Sequence, residues 1–89
     1  MKKIKDDWYK NSTWNGKIDS NFEDGLKRGR GNCNKAAYLQ IQGCLLLDNL
    51  QANIQEVGVA LLSRLLEDFP KEHSSVILAH EKLGDYYLQ

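Results

Sequence analysis

The chain has 89 residues, 42% of them hydrophobic, and a formal net charge of zero, which suits one small domain. No apolar run approaches the roughly 18–20 residues of a membrane span, and the charged N-terminus does not resemble a signal peptide. Two cysteines, Cys33 and Cys44, are too few for a disulfide framework or a zinc site, so we expect a cytoplasmic protein with reduced thiols and no metal or cofactor.

The charge is divided unevenly along the chain. Residues 1–35 carry nine basic and five acidic side chains, a net charge of +4, whereas residues 36–89 carry three and seven, a net charge of −4. A basic first half could attract nucleic acid or an acidic partner, and the two halves of a small helical stack could also attract each other. Both interpretations stay open at this point.

The N-terminal third is predicted to form a charged lead-in, residues 1–12, followed by one helix. An apolar residue then recurs at every fourth position, which is the spacing of one helix face: Trp14, Ile18, Phe22 and Leu26. We expect this helix within residues 13–30, with Ser12 or Thr13 as its N-cap and a glycine in the left-handed conformation at its end.

Two further helices are predicted in residues 34–70. The first has Asn34 as its N-cap, continues through residues 35–48, and is expected to direct six residues inward: Ala37, Tyr38, Ile41, Cys44, Leu45 and Leu47. The next, residues 53–68, has the most regular apolar spacing, at Ile54, Val57, Gly58, Leu61, Leu62, Leu65, Leu66 and Phe69. Pro70 is expected to end it, because proline lacks the N–H that a helix needs.

A last helix is predicted in residues 74–89, with Ser74 or Ser75 as its cap. Its buried face is expected to carry Val76, Ala79, Leu83 and Tyr87. No segment alternates between apolar and polar residues, so no strand is predicted. The sequence therefore predicts a single all-α domain, residues 13–89, of about four antiparallel helices.

The apolar and small residues of the last three helices resemble a tetratricopeptide repeat, in which helices A and B cross closely. They are Leu39, Gly43 and Leu46 in the first, Gly58, Leu62 and Leu65 before Pro70 in the second, and Leu83, Gly84 and Tyr87 in the last. The resemblance covers residues 36–89. It implies one helix A/B repeat in residues 34–70, the first helix of an incomplete second repeat in residues 74–89, and an N-terminal helix as a cap.

Two features depart from that repeat pattern. Gly43 and Gly84 lie 41 residues apart, whereas the repeat spans about 34 residues, and the extra residues fall in turns, which tolerate insertions. Gln42 and His80 also stand where larger apolar residues are typical of the repeat.

The front of the chain is similar to the start of a group of longer bacterial tetratricopeptide-like proteins, some of them associated with toxin–immunity loci. The residues that carry this similarity are Asp7-Trp8-Tyr9, Trp14, Phe22-Glu23, Leu26-Lys27-Arg28, Arg30 and Tyr38-Leu39-Gln40-Ile41-Gln42. The similarity implies a bacterial, immunity-like binding protein, and a chain that is a truncated version or a piece of a longer one.

No constellation of residues predicts catalysis. His73 and His80 lie seven residues apart across a helix start, without further ligands at metal-binding spacing. The loop Gly29–Gly31 lacks the spacing of a nucleotide-binding P-loop. Cys44 is expected to act as a small core residue and Cys33 as an exposed thiol. We therefore expect a protein that is not an enzyme.

The predicted function is protein–protein interaction through a helical groove. The candidate partner-binding residues, at the exposed end of the repeat, are Leu83, Tyr86 and Tyr87, and the same helix could join two copies of the chain. The alternative is a nucleic-acid-binding accessory protein that contacts phosphate through Lys27, Arg28 and Arg30. The aromatic residues Trp8, Tyr9, Trp14, Phe22 and Tyr38 could stack on bases, although their spacing favours a core.

Overall fold

The computed structural model of the protein describes residues 8–88. This part of the chain forms four α-helices and contains no strand: α1 (Gly16–Arg28), α2 (Gly31–Leu47), α3 (Ala52–Asp68) and α4 (His73–Leu88). The predicted all-α fold of four helices is confirmed. Within the described residues no helix combines the length and the apolar character needed to cross a bilayer. Residues 1–7 of the predicted lead-in, with their three lysines, lie outside the described residues.

α2 and α3 form a helical hairpin in which the two helices are in close contact at two glycines. A Cβ atom at Gly43 would lie 2.7 Å from Cγ of Leu62, and one at Gly58 would lie 2.8 Å from the carbonyl oxygen of Gly43. Cβ atoms do not approach other heavy atoms this closely, so only glycine permits the observed approach of the two helices. The predicted close crossing at Gly43 and Gly58 is confirmed, and Leu39, Leu46, Leu62 and Leu65 around it are fully buried.

The buried face of α3 agrees with the face predicted from its apolar spacing. Five of the eight residues expected to point inward are buried, namely Ile54, Gly58, Leu61, Leu62 and Leu65. The other three, Val57, Leu66 and Phe69, are half-buried against the core. α3 ends at Asp68, two residues before Pro70, as predicted.

The face of α2 differs from the expected one. The residues expected inward, Ala37, Tyr38, Ile41 and Cys44, are half-buried, and Leu45 is exposed, so only Leu47 of that set is buried. The buried residues are Ala36, Leu39, Gln42, Gly43, Leu46 and Leu47. α2 is apolar on most sides, so its hydrophobic pattern does not select one face. The close approach to α3 at Gly43 selects it instead.

α1 begins later than predicted. Its N-cap is Asn15, whose Oδ1 accepts a hydrogen bond of 2.8 Å from the backbone N–H of Ile18, so the prediction of Ser12 or Thr13 is wrong. The reason lies in α2 and its turn, because the Asn49 side chain donates a 2.8 Å hydrogen bond to the carbonyl of Ser12. That contact holds Ser12 in a bend outside the helix.

α2 begins earlier than predicted. Gly31 has a positive φ of 78°, which lets the chain turn after only two residues, so the helix starts there and not after Asn34. The Asn34 side chain lies in the first turn and donates a 2.8 Å hydrogen bond to the carbonyl of Arg30. Gly29, which caps α1, is extended, so the left-handed glycine expected after α1 is Gly31, where α2 begins.

α4 packs against both α2 and α3 and differs from its prediction in two details. It begins at His73, because a turn closed from the Glu72 N–H to the Phe69 carbonyl at 3.1 Å brings the chain into helical geometry before the serines. Ser75 is therefore a buried residue within the helix and not its cap.

The buried face of α4 carries Tyr86 in place of Tyr87. Tyr86 follows Ala79 by two helical turns and is half-buried against the core, whereas Tyr87 is 68% exposed. The predicted placement of Tyr87 on the buried face is therefore wrong.

Residues 8–12, here called the N-terminal strap, pack on the helices rather than leading into them. The Trp8 ring lies directly over Gly25 of α1, where a Cβ atom would collide with it. The ring also packs 4.7 Å from Tyr38 of α2 and 5.5 Å from Phe22 of α1, measured between centroids. The described lead-in residues are thus part of the domain. Of the aromatic residues considered for base stacking, Phe22 is in the core, and the others are half-buried against it: Trp8, Tyr9, Trp14 and Tyr38.

Buried Gln42 holds the strap in place. Its Oε1 accepts hydrogen bonds from the backbone N–H of Asn11 at 2.9 Å and from the Asn11 side chain at 2.8 Å. Its Nε2 donates to the Asn11 carbonyl at 2.8 Å. The side chain is fully buried, and these bonds explain why a polar residue is tolerated in the centre of α2.

Candidate protein-binding surfaces

The outer face of α4 presents apolar side chains away from the rest of the domain. Ile77 is 58% exposed and Leu88 is 86% exposed, and Gly84 lies between them on the same stripe of the helix. The spacing of seven and then four residues places all three on the side opposite Ala79 and Leu83, which are buried. Tyr87 borders this stripe. We call Ile77, Gly84, Tyr87 and Leu88 the outer stripe of α4.

Gly84 has no role in the internal packing of the described residues. A Cβ atom there would meet nothing within 4 Å, in contrast to Gly43 and Gly58. Glycine in a helix interior costs about 0.5–1 kcal/mol relative to alanine. At Gly84 this cost has no compensating contact inside the domain, and the gap in the stripe would let a second helix approach closely.

Only part of the predicted partner-binding set lies on this surface. Leu83 was expected at the exposed end but is buried against the core, with 9% of its surface exposed. Tyr86 is half-buried, with its ring 5.2 Å from that of Tyr87. Tyr87 is the one predicted residue that the structure places in the outer stripe.

Acidic side chains lie in and beside the outer stripe, because Glu81 falls four residues after Ile77 and seven before Leu88 on the same line of the helix. Glu81 and Asp85 are exposed on α4, and neither forms an ion pair within residues 8–88. The nearby Lys82 points toward α2, where its Nζ lies 2.6 Å from Oδ1 of Asp48. That hydrogen bond and the Asp48 charge raise the pKa of Lys82 above its ordinary value. The charge available on the outer stripe is therefore negative.

The predicted basic residues lie together at the end of α1 and in the turn that follows. Lys27, Arg28 and Arg30 are all exposed. Lys27 borders a cavity of about 160 Å³ whose wall includes the carboxylates of Glu23 and Asp68. Basic and acidic groups are therefore interspersed beside this turn, which is a weak arrangement for binding a phosphate backbone.

A groove that the sequence analysis missed lies between the start of α1 and the first half of α3. It has a volume of about 620 Å³ and is lined by Trp14 and Asp19 on the α1 side. On the α3 side it is lined by Glu56, Val57 and Leu61. Its walls come from segments about 40 residues apart in the chain, so no local pattern could have indicated it.

Both histidines are exposed on α4, and the described residues contain no group of three side chains that could hold a metal ion. Cys33 is an exposed thiol, as expected, and Cys44 is half-buried. The Cys44 sulfur lies 3.5 Å from Nε2 of Gln40.

Comparisons with protein-family models, with curated proteins and with solved structures find no significant match to this chain. The functional argument therefore depends on the geometry described above.

Proposed function

We propose that the protein is a non-catalytic protein-interaction module that binds a helix of a partner protein on the outer stripe of α4. The observation that carries this proposal is the pairing of exposed Ile77 and Leu88 with Gly84, which leaves room for a close helix. An apolar helix face that receives a partner helix is a common mode of recognition. The exposed Tyr87 beside the stripe is of a residue type that often anchors such interfaces.

The proposal includes a tetratricopeptide-like arrangement for α2, α3 and α4. It is supported by the close crossing at Gly43 and Gly58 and by the packing of α4 on both helices of the hairpin. In such arrays each helical unit buries its face only against its neighbours, so the exposed face of α4 is suited to receive a further helix.

The specific version of the proposal is an immunity-like or accessory binding protein of a bacterium. It follows from the similarity of the N-terminal residues to that group of proteins, and identification of the partner would test it.

Site-specific photocrosslinking in a native lysate tests the proposed surface. A photoreactive residue replaces Ile77 in one variant and Glu67, an exposed residue of α3, in the matched control. We expect a discrete crosslinked protein from position 77 and none from position 67. The same adduct from both positions, or no adduct from position 77, would overturn the proposal.

Self-association is one form of the same proposal, with a second copy of the chain as the partner. Sedimentation equilibrium of the wild type and of Tyr87→Asp separates the two forms, because a charge placed in an apolar contact weakens it. A dimer that dissociates in the variant identifies a second copy as the partner. A monomeric wild type points to a different protein.

A further inference from the structure

We propose that the groove between α1 and α3 is a second binding site, which receives an arginine or lysine side chain presented by a protein partner. This proposal is separate from the outer stripe of α4. The two surfaces involve different residues, so either can fail while the other holds.

The groove combines an apolar floor with an acidic rim. Val57 and Leu61 of α3 form the floor, and the half-buried Trp14 ring forms one wall. Asp19 and Glu56 stand at the rim, and no basic side chain is among its lining residues. A long cationic side chain has both features that this lining complements, an aliphatic stem and a charged end.

The two carboxylates are available to a ligand. Neither Asp19 nor Glu56 forms an ion pair within residues 8–88. The neighbouring cation, Arg64, is already engaged, because its Nη1 lies 2.6 Å from Glu23 and its Nε lies 3.7 Å from Asp68. The Glu23 hydrogen bond accordingly raises the pKa of Arg64. The charge of Asp19 also contributes to the raised pKa of Arg64, so Arg64 offsets part of that charge, whereas Glu56 is not among the groups that act on Arg64.

Stabilisation of a helix start explains only one of the two acidic residues at the rim. Asp19 lies in the first turn of α1, where an acidic residue also stabilises the helix dipole. Glu56 lies beyond the first turn of α3, so that explanation does not extend to it. The starts of α1 and α3 both line the groove, and their partial charges of about +0.5 each still sum to less than the two negative charges at the rim.

Trp14 adds an aromatic ring that can bind a cation. A cation over the face of a tryptophan ring is attracted by the π electrons, and tryptophan is the strongest of the aromatic residues in this respect. Guanidinium is favoured over ammonium, because its planar shape stacks on the ring while its N–H groups bind a carboxylate. We therefore expect arginine to bind more tightly than lysine.

A pair of matched peptides tests the proposal by NMR. The probe is the N-acetylated, C-amidated tripeptide Leu-Arg-Leu, and its control replaces arginine with citrulline, which has the same shape without the charge. We expect saturable shifts of the Trp14 indole and of the amides of Asp19 and Glu56, with at least tenfold weaker binding of the control. Equal binding of both peptides, or shifts confined to α4, would overturn the proposal.

Variants of the full chain provide the second arm of the test. Glu56→Gln should weaken binding of the arginine peptide about fivefold or more, whereas Glu67→Gln and Asp24→Asn should not change it, because both are exposed acids outside the groove. Ala60→Phe, at an exposed position in the groove wall, should abolish binding without loss of the fold. Equal effects of Glu56→Gln and Glu67→Gln would overturn the site. So would concentration-dependent shifts of groove residues without peptide, which would identify a second copy as the occupant.

Discussion

The substitution Gly58→Ala tests the close contact between the backbones of α2 and α3. The added Cβ would lie 2.8 Å from the Gly43 carbonyl oxygen and 3.1 Å from both Cβ of Leu46 and the backbone nitrogen of Leu47. Two of these three atoms belong to the backbone, so α2 and α3 must move apart. Overpacking of this kind costs about 1–3 kcal/mol, against which alanine gains about 1 kcal/mol of helix propensity. We expect a net loss of about 1 kcal/mol.

Thermal and urea unfolding followed by circular dichroism measures this loss. A change of about 1 kcal/mol corresponds to a fall in Tm of about 4–8 °C for a domain of this size. Gly84→Ala is the matched control, because nothing lies within 4 Å of the added atom, and it should raise stability by about 0.5–1 kcal/mol. If Gly58→Ala stabilised the protein as much as Gly84→Ala, the helices would not be in close contact and the account of the crossing would fail.

Three further predictions concern the strap, an ion pair and the basic turn. Gln42→Ala leaves the strap's backbone groups without partners and should lower the free energy of unfolding by about 2 kcal/mol, measured by urea denaturation; no loss would show that Gln42 does not hold the strap. Lys82→Met should lower the free energy of unfolding by at most about 1 kcal/mol near neutral pH. This difference from the wild type should disappear as the pH rises through the raised pKa of Lys82, above 10.5, because the neutral amine no longer pairs with Asp48. A difference that grows in alkali would contradict the pairing with Asp48. In a gel-shift assay the wild type should not bind single-stranded RNA or DNA at about 0.15 M salt; salt-sensitive binding that is lost in the double variant Arg28→Ala, Arg30→Ala would favour the nucleic-acid alternative.

The sequence was most informative where one apolar stripe was unambiguous. α3 has apolar residues at regular three- and four-residue spacing and ends before a proline, and its extent and face are as predicted. The two glycines of the hairpin were also identifiable, since a small residue in an otherwise large apolar face marks a close crossing.

The face of α2 could not be predicted in the same way. A helix that contacts neighbours on several sides is apolar nearly all round, and only the tertiary contact at Gly43 decides which residues are fully buried. The start of α1 depended on a still more distant contact, since the Asn49 side chain bonds the Ser12 carbonyl from 37 residues away. A local search for capping residues cannot include such contacts.

The candidate sites differ in how much the sequence revealed. The sequence placed both Leu83 and Tyr87 on the buried face of α4 and also among the surface candidates, and the structure buries Leu83 and exposes Tyr87. The groove could not be predicted from the sequence, since Trp14 and Val57 come together only in the folded chain. Gln42 could be singled out from the sequence, because it is a polar residue at an apolar position of the repeat pattern. In the fold its side chain bonds the strap.

The most direct test of the proposed binding surface is whether a partner helix must approach α4 closely at Gly84. The measurement is the affinity for the protein crosslinked from position 77, or for a second copy, by isothermal titration with wild type and Gly84→Leu. Because nothing lies within 4 Å of an added Cβ, the variant should melt no lower than the wild type. We predict at least a tenfold loss of affinity, since the leucine side chain occupies the space of the incoming helix. Unchanged affinity in a folded Gly84→Leu variant would contradict the proposal that the outer stripe of α4 receives a partner helix.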